Sequence, residues 1–548
     1  AFAARELGFE SVMINSNPET VATDFDASDL LFLEPLTLED TLNVIERLNG
    51  GGIEVADRSG HVAGCIVQFG GQTPLNLAHG LVAAGVPLIG TGLEAIDLAE
   101  DRDHFRALLE ELHLDQPESG IAHSLEEAID IASTIGYPVL VRPSYVLGGR
   151  GMETCFDEAA LRRYMSQAVK VSEFADAPVL IDRFLSDAVE LDVDVIADFP
   201  PHESSSSRQL TVAPGRQRAV VCGVMEHIEE AGIHSGDSTA VVPPYALSRS
   251  IVEAARDAAR RLAERLKVRG LMNVQMAVKD DRLYVLEVNP RASRTAPFIS
   301  KAKGISWARL AARVMMGGSL DELDVREVPD TGFFAVKESV FPFTRFPGVD
   351  VVLGPEMRST GEVMGADRSL PIAFAKAQMA AGFTVPTSGE VFMSVRDSDK
   401  SACIDIARQL VSMGFVVHTT TGTNELLRAY SVETKLIPKI SEGTRPNILD
   451  MITNGQINLI INTPTRTGSH TDEGRIRALA VRNAILMVTT ISGARATVQA
   501  IAALRAGIWT VSAIQDYFPH LARPAAEPEA GGVVTLPQAS AGLAVVRS

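Results

Sequence analysis

Cysteine is scarce in this chain: four among 548 residues, at Cys65, Cys155, Cys222 and Cys403, with no C-x-x-C pair. That excludes a disulfide framework and a cysteine zinc site, and it fits a reducing cytoplasm. Long apolar runs are missing too, and none approaches the roughly 20 residues needed to span a bilayer as a helix. Positive charge is in the minority, with 50 Lys and Arg against 69 Asp and Glu and a formal charge of −19. Non-specific nucleic-acid binding needs a basic surface and is excluded on that ground, whereas local basic pockets for nucleotides are not. No Ser/His/Asp or Cys/His constellation offers a side-chain nucleophile. A signal-peptide pattern and an initiator Met are also lacking. The chain opens on AFAARELGFE, which reads as the latter part of a helix running into a strand, so a fragment of something longer is expected.

What is present is an ordinary globular composition, 46% hydrophobic and 22% charged, over a length that implies two to four domains. Its most informative stretch is LMNVQMAVKDDRLYVLEVNPRASR, from Leu271 to Arg294. It reads as two strands around the polar turn Lys279–Arg282. Side chains alternate between the faces of a strand, so Asn273 and Gln275 share one face of the first, and Glu287 and Asn289 one face of the second. A hairpin then gathers Gln275, Glu287 and Asn289 as three oxygen donors with one charge among them. This is too little charge for a calcium cage, but it suits Mg²⁺ completed by water and nucleotide phosphates. Arg291 and Arg294 follow, where guanidinium groups hold phosphate oxygens. A plain amphipathic hairpin with a polar face is the other reading of the same residues.

Residues 1–95 alternate helix and strand: Ala1–Leu7 helical, Ser11–Asn15 a strand, Leu38–Leu48 a helix capped by Thr37, Gly64–Gln68 a strand, Pro74–Ala84 a helix. Such alternation predicts a parallel sheet with helices on its faces. The loops NSNPET and GGQT sit at strand ends, either as ligand loops or as simple turn chemistry. A second unit spans 96–345. It begins with a helix over Ala95–Leu112 carrying Arg102, then a helix over Ser124–Ile135 with Ser124 and Glu127 as a capping box. The strand Pro138–Arg142 runs into RPSYVLGGRGM, whose Gly148, Gly149 and Gly151 allow close approach to phosphates beside Arg142 and Arg150. A mobile turn is the alternative. Val179–Asp194 predicts two strands around a bend, with Leu185 placed for an adenine or for the core, and Glu190 for ribose hydroxyls. Residues 198–218 read as a Pro/Ser-rich insertion with a solvated tip. Ser248–Val268 is an amphipathic helix. Residues 346–384 read as a connecting segment with a helix near Ile372–Met379. From 385 to 525 alternation resumes, with strands at Val391–Val395, Val416–Thr419 and Leu459–Asn462 and helices between them. Residues 526–548 read as a disordered tail.

Together, NSNPETVATDFD, FGGQTPLNLA, AEDRDHF, RPSYVLGGRGM, MEHIEEAGIHSGDS, RGLMNVQMAV, EVNPRASRTAPFISKA and LGPEMRSTGEVMG resemble the ATP-grasp superfamily. More closely, residues 1 to about 520 resemble the C-terminal half of the large subunit of carbamoyl phosphate synthetases. The resemblance implies an α/β architecture in three parts. These are a truncated parallel α/β pre-ATP-grasp domain lacking its first strand, an ATP-grasp domain, and a C-terminal methylglyoxal-synthase-like parallel α/β domain that is allosteric. It implies a ligase that uses ATP to phosphorylate carbamate, with Mg²⁺ or Mn²⁺ and K⁺ as further ions. An N-terminal half and a glutaminase subunit would supply the carbamate, for pyrimidine and arginine biosynthesis, in a cytoplasmic oligomer without nucleic acid or membrane.

Residue by residue, the resemblance puts metal ligands on Gln275, Glu287 and Asn289. It puts ATP contacts on Arg102, Arg142, Arg183, Leu185, Glu190, Gly232, Ile233, His234, Ser235 and Gln275. Arg291 and Arg294 fall beside the reacting phosphates with Glu287 and Asn289. Where Arg183 stands, bacterial members often have His, at the border of the base. Residues that bind ornithine in some members match Glu229, Asp237, Glu338 and Thr489. In the last domain, Ser394, Lys400, Thr420, Thr423, Lys439 and Asn462 match a pocket for UMP- or IMP-type effectors. The family's Asn-Thr-Thr is here Asn462-Thr463-Pro464, with Thr465 as the substitute hydroxyl. A biotin carboxylase and a non-catalytic nucleotide-sensing module remain the competing readings.

Overall fold

The computed structural model describes residues 1–50, 62–143, 151–168, 178–201, 216–330, 332–346, 351–464, 471–507 and 509–518. The expectations about Gly148, Gly149 and Arg150, the tip of the 198–218 insertion, Thr465 and the tail fall outside these residues. Ala1–Thr510 is one compact unit and Val511–Ser548 another, in which Ile514–Tyr517 makes a 3-10 turn.

Among the described residues the largest sheet has seven strands. Their spatial order is Arg282–Asn289, Arg269–Lys279, Val189–Asp198, Ala219–His227, Ala240–Val242, Phe334–Val340 and Gly361–Asp367. Neighbours pair antiparallel throughout. Val193, Val195, Met272, Val274 and Met276 project from one face into a core closed by the helix Arg249–Arg265. That helix is rich in Ala and Arg, both strong helix formers, and starts where Ser248 Oγ accepts from Ile251 N at 3.4 Å. Ala255, Ala258, Ala259 and Leu262 recur at helical spacing and are fully buried. The other face carries Asp192 and Asp194, both buried carboxylates.

A bulge decides which face the second hairpin strand presents. Gln275 pairs with Glu287 but Met276 pairs with Val285, so Leu286 is an extra residue. Strict alternation would put Val285 and Glu287 on the same side. With the bulge, Val285 and Val288 both enter the apolar core while Glu287 and Asn289 lie on the polar face.

A four-stranded antiparallel sheet runs in the order Ser119–Ala122, Val179–Arg183, Val139–Pro143, Glu153–Cys155. The five-stranded sheet Lys435–Leu436, Val416–Thr419, Glu390–Ser394, Leu459–Asn462, Leu486–Val488 is parallel throughout. Val391 and Met393 feed one core and Phe392 another, as helices on both faces of a parallel sheet require.

Several expectations need correction. The helix expected over 95–112 is two, Leu93–Glu100 and Arg102–Glu111. Asp101 turns out of helix at ψ 122° and its carboxylate caps His104 N at 2.9 Å, so Arg102 begins a helix. Residues 74–84 divide into Gln72–Leu75 and Ala78–Ala83. The strand expected at Gly64–Gln68 is a single bridge between Cys65 and Leu88, and the parallel partner of Val12–Ile14 is the unforeseen Leu30–Phe32. The segment 346–384 is no mere connector, because Gly361–Asp367 is the edge strand of the large sheet and the helix Leu370–Ala380 packs on it.

Leu262 is fully buried beneath the sheet that carries the hairpin. Leu262→Ala should cost about 2–5 kcal/mol, the range for a cavity at a site that relaxes only partly, read by denaturant unfolding. A loss below about 1 kcal/mol would mean this helix is not the support of the polar face.

Candidate active site

Register brings the three donors together. Gln275 lies directly opposite Glu287, and Asn273 opposite Asn289. Asn289 Nδ2 donates to Glu287 Oε1 at 2.8 Å, and Gln275 Nε2 donates to Ser235 Oγ at 3.1 Å. Both amides thus spend their N–H groups on neighbours, which leaves their oxygens for a cation beside the Glu287 carboxylate. Among the described residues no group of three His, Cys, Asp or Glu side chains is disposed to hold a metal ion. One carboxylate with two amide oxygens fits Mg²⁺ shared with phosphates better than a self-sufficient cage.

Behind the donors stands a layer of buried charge that local sequence reasoning missed. Asn273 Nδ2 bonds Asp192 at 3.2 Å and Asp194 at 2.9 Å. Asp194 also accepts from Ser293 Oγ at 2.9 Å and Thr295 Oγ1 at 2.6 Å, the two residues that flank Arg294. Burial, reinforced by Asp192, pushes the Asp194 carboxyl up to about 6 against the pull of its hydrogen bonds. Burial alone would lower the pKa of His227, but Asp192 at 2.8 Å and Glu190 at 3.5 Å outweigh it and raise it to about 9. His227 is therefore an imidazolium wedged between two carboxylates. The signal for this layer was the alternation of Glu190, Asp192 and Asp194 with Val189, Leu191, Val193 and Val195 in the strand Val189–Asp198.

The loop Gly232–Ser235 is tied to that layer from several sides. Gly232 N donates to Glu190 Oε1 at 2.9 Å, and Lys337 Nζ donates to the Ser235 carbonyl at 2.9 Å. Gly232 has φ +91°, and a Cβ there would lie 2.4 Å from the Phe184 ring, so only glycine fits. His234 Nδ1 accepts from Gly236 N at 3.0 Å, and burial lowers the pKa of the ring. Ile233 is buried and Leu185 half-buried. Arg102 and Arg142 converge on an unforeseen partner, Asp182. Arg102 grips both of its oxygens at 2.9 and 3.1 Å, and Arg142 Nε lies 3.5 Å away. Arg183 points elsewhere, to Glu118 at 3.2 Å, with both side chains exposed. Arg291 is half-buried, and that burial lowers its pKa, whereas Arg294 is exposed at the N-cap of the helix Thr295–Lys303.

A second acidic group adjoins the loop. Glu229 accepts from Thr490 Oγ1 at 2.7 Å, so the hydroxyl here belongs to Thr490, next to the expected Thr489. Glu338 accepts from Thr239 Oγ1 and Gln378 Nε2, each at 2.8 Å. Asp237 is engaged by the backbone N–H groups of Arg358 and Ser359 at 2.7 and 2.9 Å.

In the parallel sheet, Ser394, Thr420 and Asn462 meet at the carboxyl ends of adjacent strands. Ser394 Oγ and Thr420 Oγ1 are 3.3 Å apart, and Asn462 Nδ2 donates to the Ser394 carbonyl at 3.0 Å. Thr423 is buried in the helix after Thr420, and Lys439 is exposed. Lys400 Nζ sits 2.6 Å from Asp397. Thr463 Oγ1 is occupied by Arg396 N at 2.9 Å. Arg396 itself reaches Glu230 at 3.0 Å, which ties this loop to the one carrying Gly232.

The large antiparallel sheet beside a smaller antiparallel one with arginines on its strands fits the ATP-grasp class. Residues 101–323 match the family model for the carbamoyl-phosphate synthase L chain, ATP binding domain. Residues 1–98 match the carbamoyl phosphate synthase preATP-grasp domain, and 402–489 the MGS-like domain. The carbamoyl phosphate synthase large chain of Rhodopirellula baltica is 49% identical over 519 residues, covering 94% of this chain and 45% of its own length. The C-terminal section of that chain from Methanocaldococcus jannaschii is 46% identical over 524 residues, 94% of this chain and 80% of its own. The chain belongs to the carbamoyl phosphate synthase large-chain family, and it spans about half the length of the full-length relatives it matches. Two solved structures share the fold. One is the biotin carboxylase domain of Hydrogenobacter thermophilus 2-oxoglutarate carboxylase with MgADP, ADP and bicarbonate, at TM-score 0.51 and 18% identity over 69% of this chain and 85% of that one. The other is an ADP complex of N5-carboxyaminoimidazole ribonucleotide synthetase, at TM-score 0.50 and 16% identity over 69% and 91%. At such identities the likeness concerns fold alone. Among the described residues no helix is long and apolar enough to cross a membrane.

Burial, with the nearby charge of Glu229, pushes the Glu338 carboxyl from 4.5 up to about 8. Below pH 4.5 the group is protonated whether the chain is folded or not. Between there and about 8 the folded chain keeps a proton that the unfolded chain has released, so stability falls as pH rises. Glu338→Gln should flatten that fall, on the order of a few kcal/mol, in thermal unfolding followed from pH 5 to 8. A parallel pH profile in the variant would place the titration elsewhere.

Proposed function

We propose that this chain phosphorylates carbamate with ATP, the last step of carbamoyl phosphate synthesis. The observation that carries the reading is the pairing of Gln275 against Glu287, with Asn289 on the same face and Arg291 and Arg294 next in the chain. A carbamate oxygen attacks the γ-phosphorus in line, the bond to the ADP oxygen breaks, and carbamoyl phosphate and ADP form. Gln275, Glu287 and Asn289 hold the divalent ion, Mg²⁺ or Mn²⁺, which when bound neutralises phosphate charge. Arg291 and Arg294 face the charge that develops on the transferring group. Arg102 and Arg142 trade Asp182 for phosphate oxygens, Leu185 and Ile233 flank the base, Arg183 borders it, and Glu190 takes the ribose hydroxyls. His234 and Ser235 line the phosphates. The fold is shared with biotin carboxylases, but the kinship over nearly the whole chain favours carbamate as acceptor.

The reading extends to partners and control. An N-terminal synthetase half and a glutaminase subunit supply carbamate, within a cytoplasmic oligomer that serves pyrimidine and arginine synthesis. Glu229, Asp237, Glu338 and Thr490 or Thr489 take ornithine through its amino groups. Ser394, Lys400, Thr420, Thr423, Lys439 and Asn462 take a UMP- or IMP-type monophosphate, which suits lysines and hydroxyls at strand ends of a parallel sheet.

Given MgADP and carbamoyl phosphate, the chain should make ATP in the reverse reaction, with no glutamine-dependent synthesis alone. Glu287→Gln, which removes the one formal charge of the donor set, should lower that rate by at least about 10²-fold. Bicarbonate-stimulated ATP hydrolysis without the reverse reaction would instead assign a different acceptor.

For the effector site, calorimetric titration of the whole chain with UMP and IMP should show binding. Lys400→Ala should weaken it by roughly 1.5–3 kcal/mol, as for a charged hydrogen bond. An unchanged affinity in that variant would move the phosphate away from Lys400.

A further inference from the structure

The loop bearing Arg291 leaves the hairpin at Asn289, and its position is set from outside the hairpin. Gln68 comes from the segment matched to the preATP-grasp domain and is fully buried. Its Nε2 donates to the Pro290 carbonyl at 2.8 Å, and its own backbone carbonyl accepts from Ala292 N at 3.0 Å. Arg291 lies between those two anchors. The same side-chain amide is itself fixed: Nε2 also donates to Thr91 Oγ1 at 2.8 Å, and Oε1 accepts from Thr91 N at 2.8 Å. Thr91 Oγ1 in turn accepts from Arg269 N at 3.0 Å, at the start of the first hairpin strand. In an antiparallel hairpin the start of the first strand and the end of the second lie side by side. Gln68 and Thr91 thus close the open end of the hairpin, the end at which the donor set and Arg291 sit. The fit leaves no slack, since a Cβ on Gly90 would come within 2.1 Å of Gln68 Oε1. A surface tie would be worth little, but Gln68 and Thr91 are both buried and each donor has a designated acceptor.

We infer that Gln68, seated by Thr91, is a positioning residue for phosphoryl transfer, acting through Pro290 and Ala292 on the placement of Arg291. It touches no reacting atom. Its role follows from geometry, since a displacement on the order of 1 Å in a group facing the transition state costs about 10²-fold in rate. The inference rests on the carbamate-phosphorylating reading for its rate measurement, though not for its structural one.

The test uses the whole chain, with Gln68→Leu, Thr91→Val, the conservative Thr91→Ser, and the double variant Gln68→Leu/Thr91→Val. ATP formation from MgADP and carbamoyl phosphate should fall roughly 10- to 100-fold in kcat for Gln68→Leu. MgADP affinity by direct titration should stay within about twofold, because Arg102, Arg142 and Glu190 are untouched. Thr91→Ser should restore the rate lost in Thr91→Val, and the double variant should be no slower than the slower single one, as members of one unit behave. Amide exchange in peptides spanning 288–295 should quicken in Gln68→Leu, a readout that needs no turnover. Unchanged kcat in a folded Gln68→Leu, or equal losses of kcat and MgADP affinity, would overturn the inference. So would unchanged exchange at 288–295. A wild-type chain that makes no ATP would strike the proposed reaction, while the exchange result would still decide the role of Gln68.

Discussion

One extra residue in one strand governs the chemistry of this molecule. A strand can give a given side chain to the core or to the opposite face, and a shift of one residue exchanges the two. Leu286 takes up that shift within the hairpin. Because of it, Val285 and Val288 both reach the apolar core while Glu287 faces Gln275 across the ladder. Without the bulge, the strand would have to choose between burying a carboxylate among valines and exposing its apolar anchors. The helix Arg249–Arg265, the core beneath the sheet and the anchoring of the following loop all presuppose that choice.

The polar face is costly to build, since several charges leave water for it. Each buried charge there has a partner of opposite sign or several hydrogen bonds: His227 has Asp192 and Glu190, and Asp194 has Asn273, Ser293 and Thr295. Unpaired, any of these would cost several kcal/mol. Paired, they give the donor set a hydrogen-bonded floor, the preorganised support that the proposed phosphoryl transfer would draw on. Lys337 plays the same part for the Gly232–Ser235 loop, giving its ammonium to a backbone carbonyl.

Much of this architecture is legible in the sequence itself, and the division between what can be read and what cannot follows distance along the chain. Gln275, Glu287 and Asn289 lie on one hairpin with a short turn, so strand periodicity suffices to group them. The helix Arg249–Arg265 announces itself by its cap and apolar spacing. The family motifs single out Arg102 and Arg142, which the structure brings together on Asp182. What stays hidden joins residues far apart in the chain: Asp182 lies 80 residues beyond Arg102, and Pro290 lies 222 beyond Gln68. No local rule specifies such pairs. Breaks within apparent helices escape for a different reason. Asp101 ends one helix and caps the next through its own side chain, so the periodicity on either side looks continuous. The edge strand Gly361–Asp367 is easily overlooked because its Gly and Asp termini read as turns.

The ion pair between Arg396 and Glu230 spans the gap between the strand-end loop of the parallel sheet and the loop that carries Gly232. Arg396 is four residues before Lys400, and Glu230 is two before Gly232. On the proposed reading, a ligand that displaced Arg396 would break this pair and so act on both loops at once. Were both loops to bind ligands, as proposed, linkage would make any such influence mutual and change the two affinities by the same factor. A binding isotherm measured at either loop would then depend on the occupancy of its counterpart.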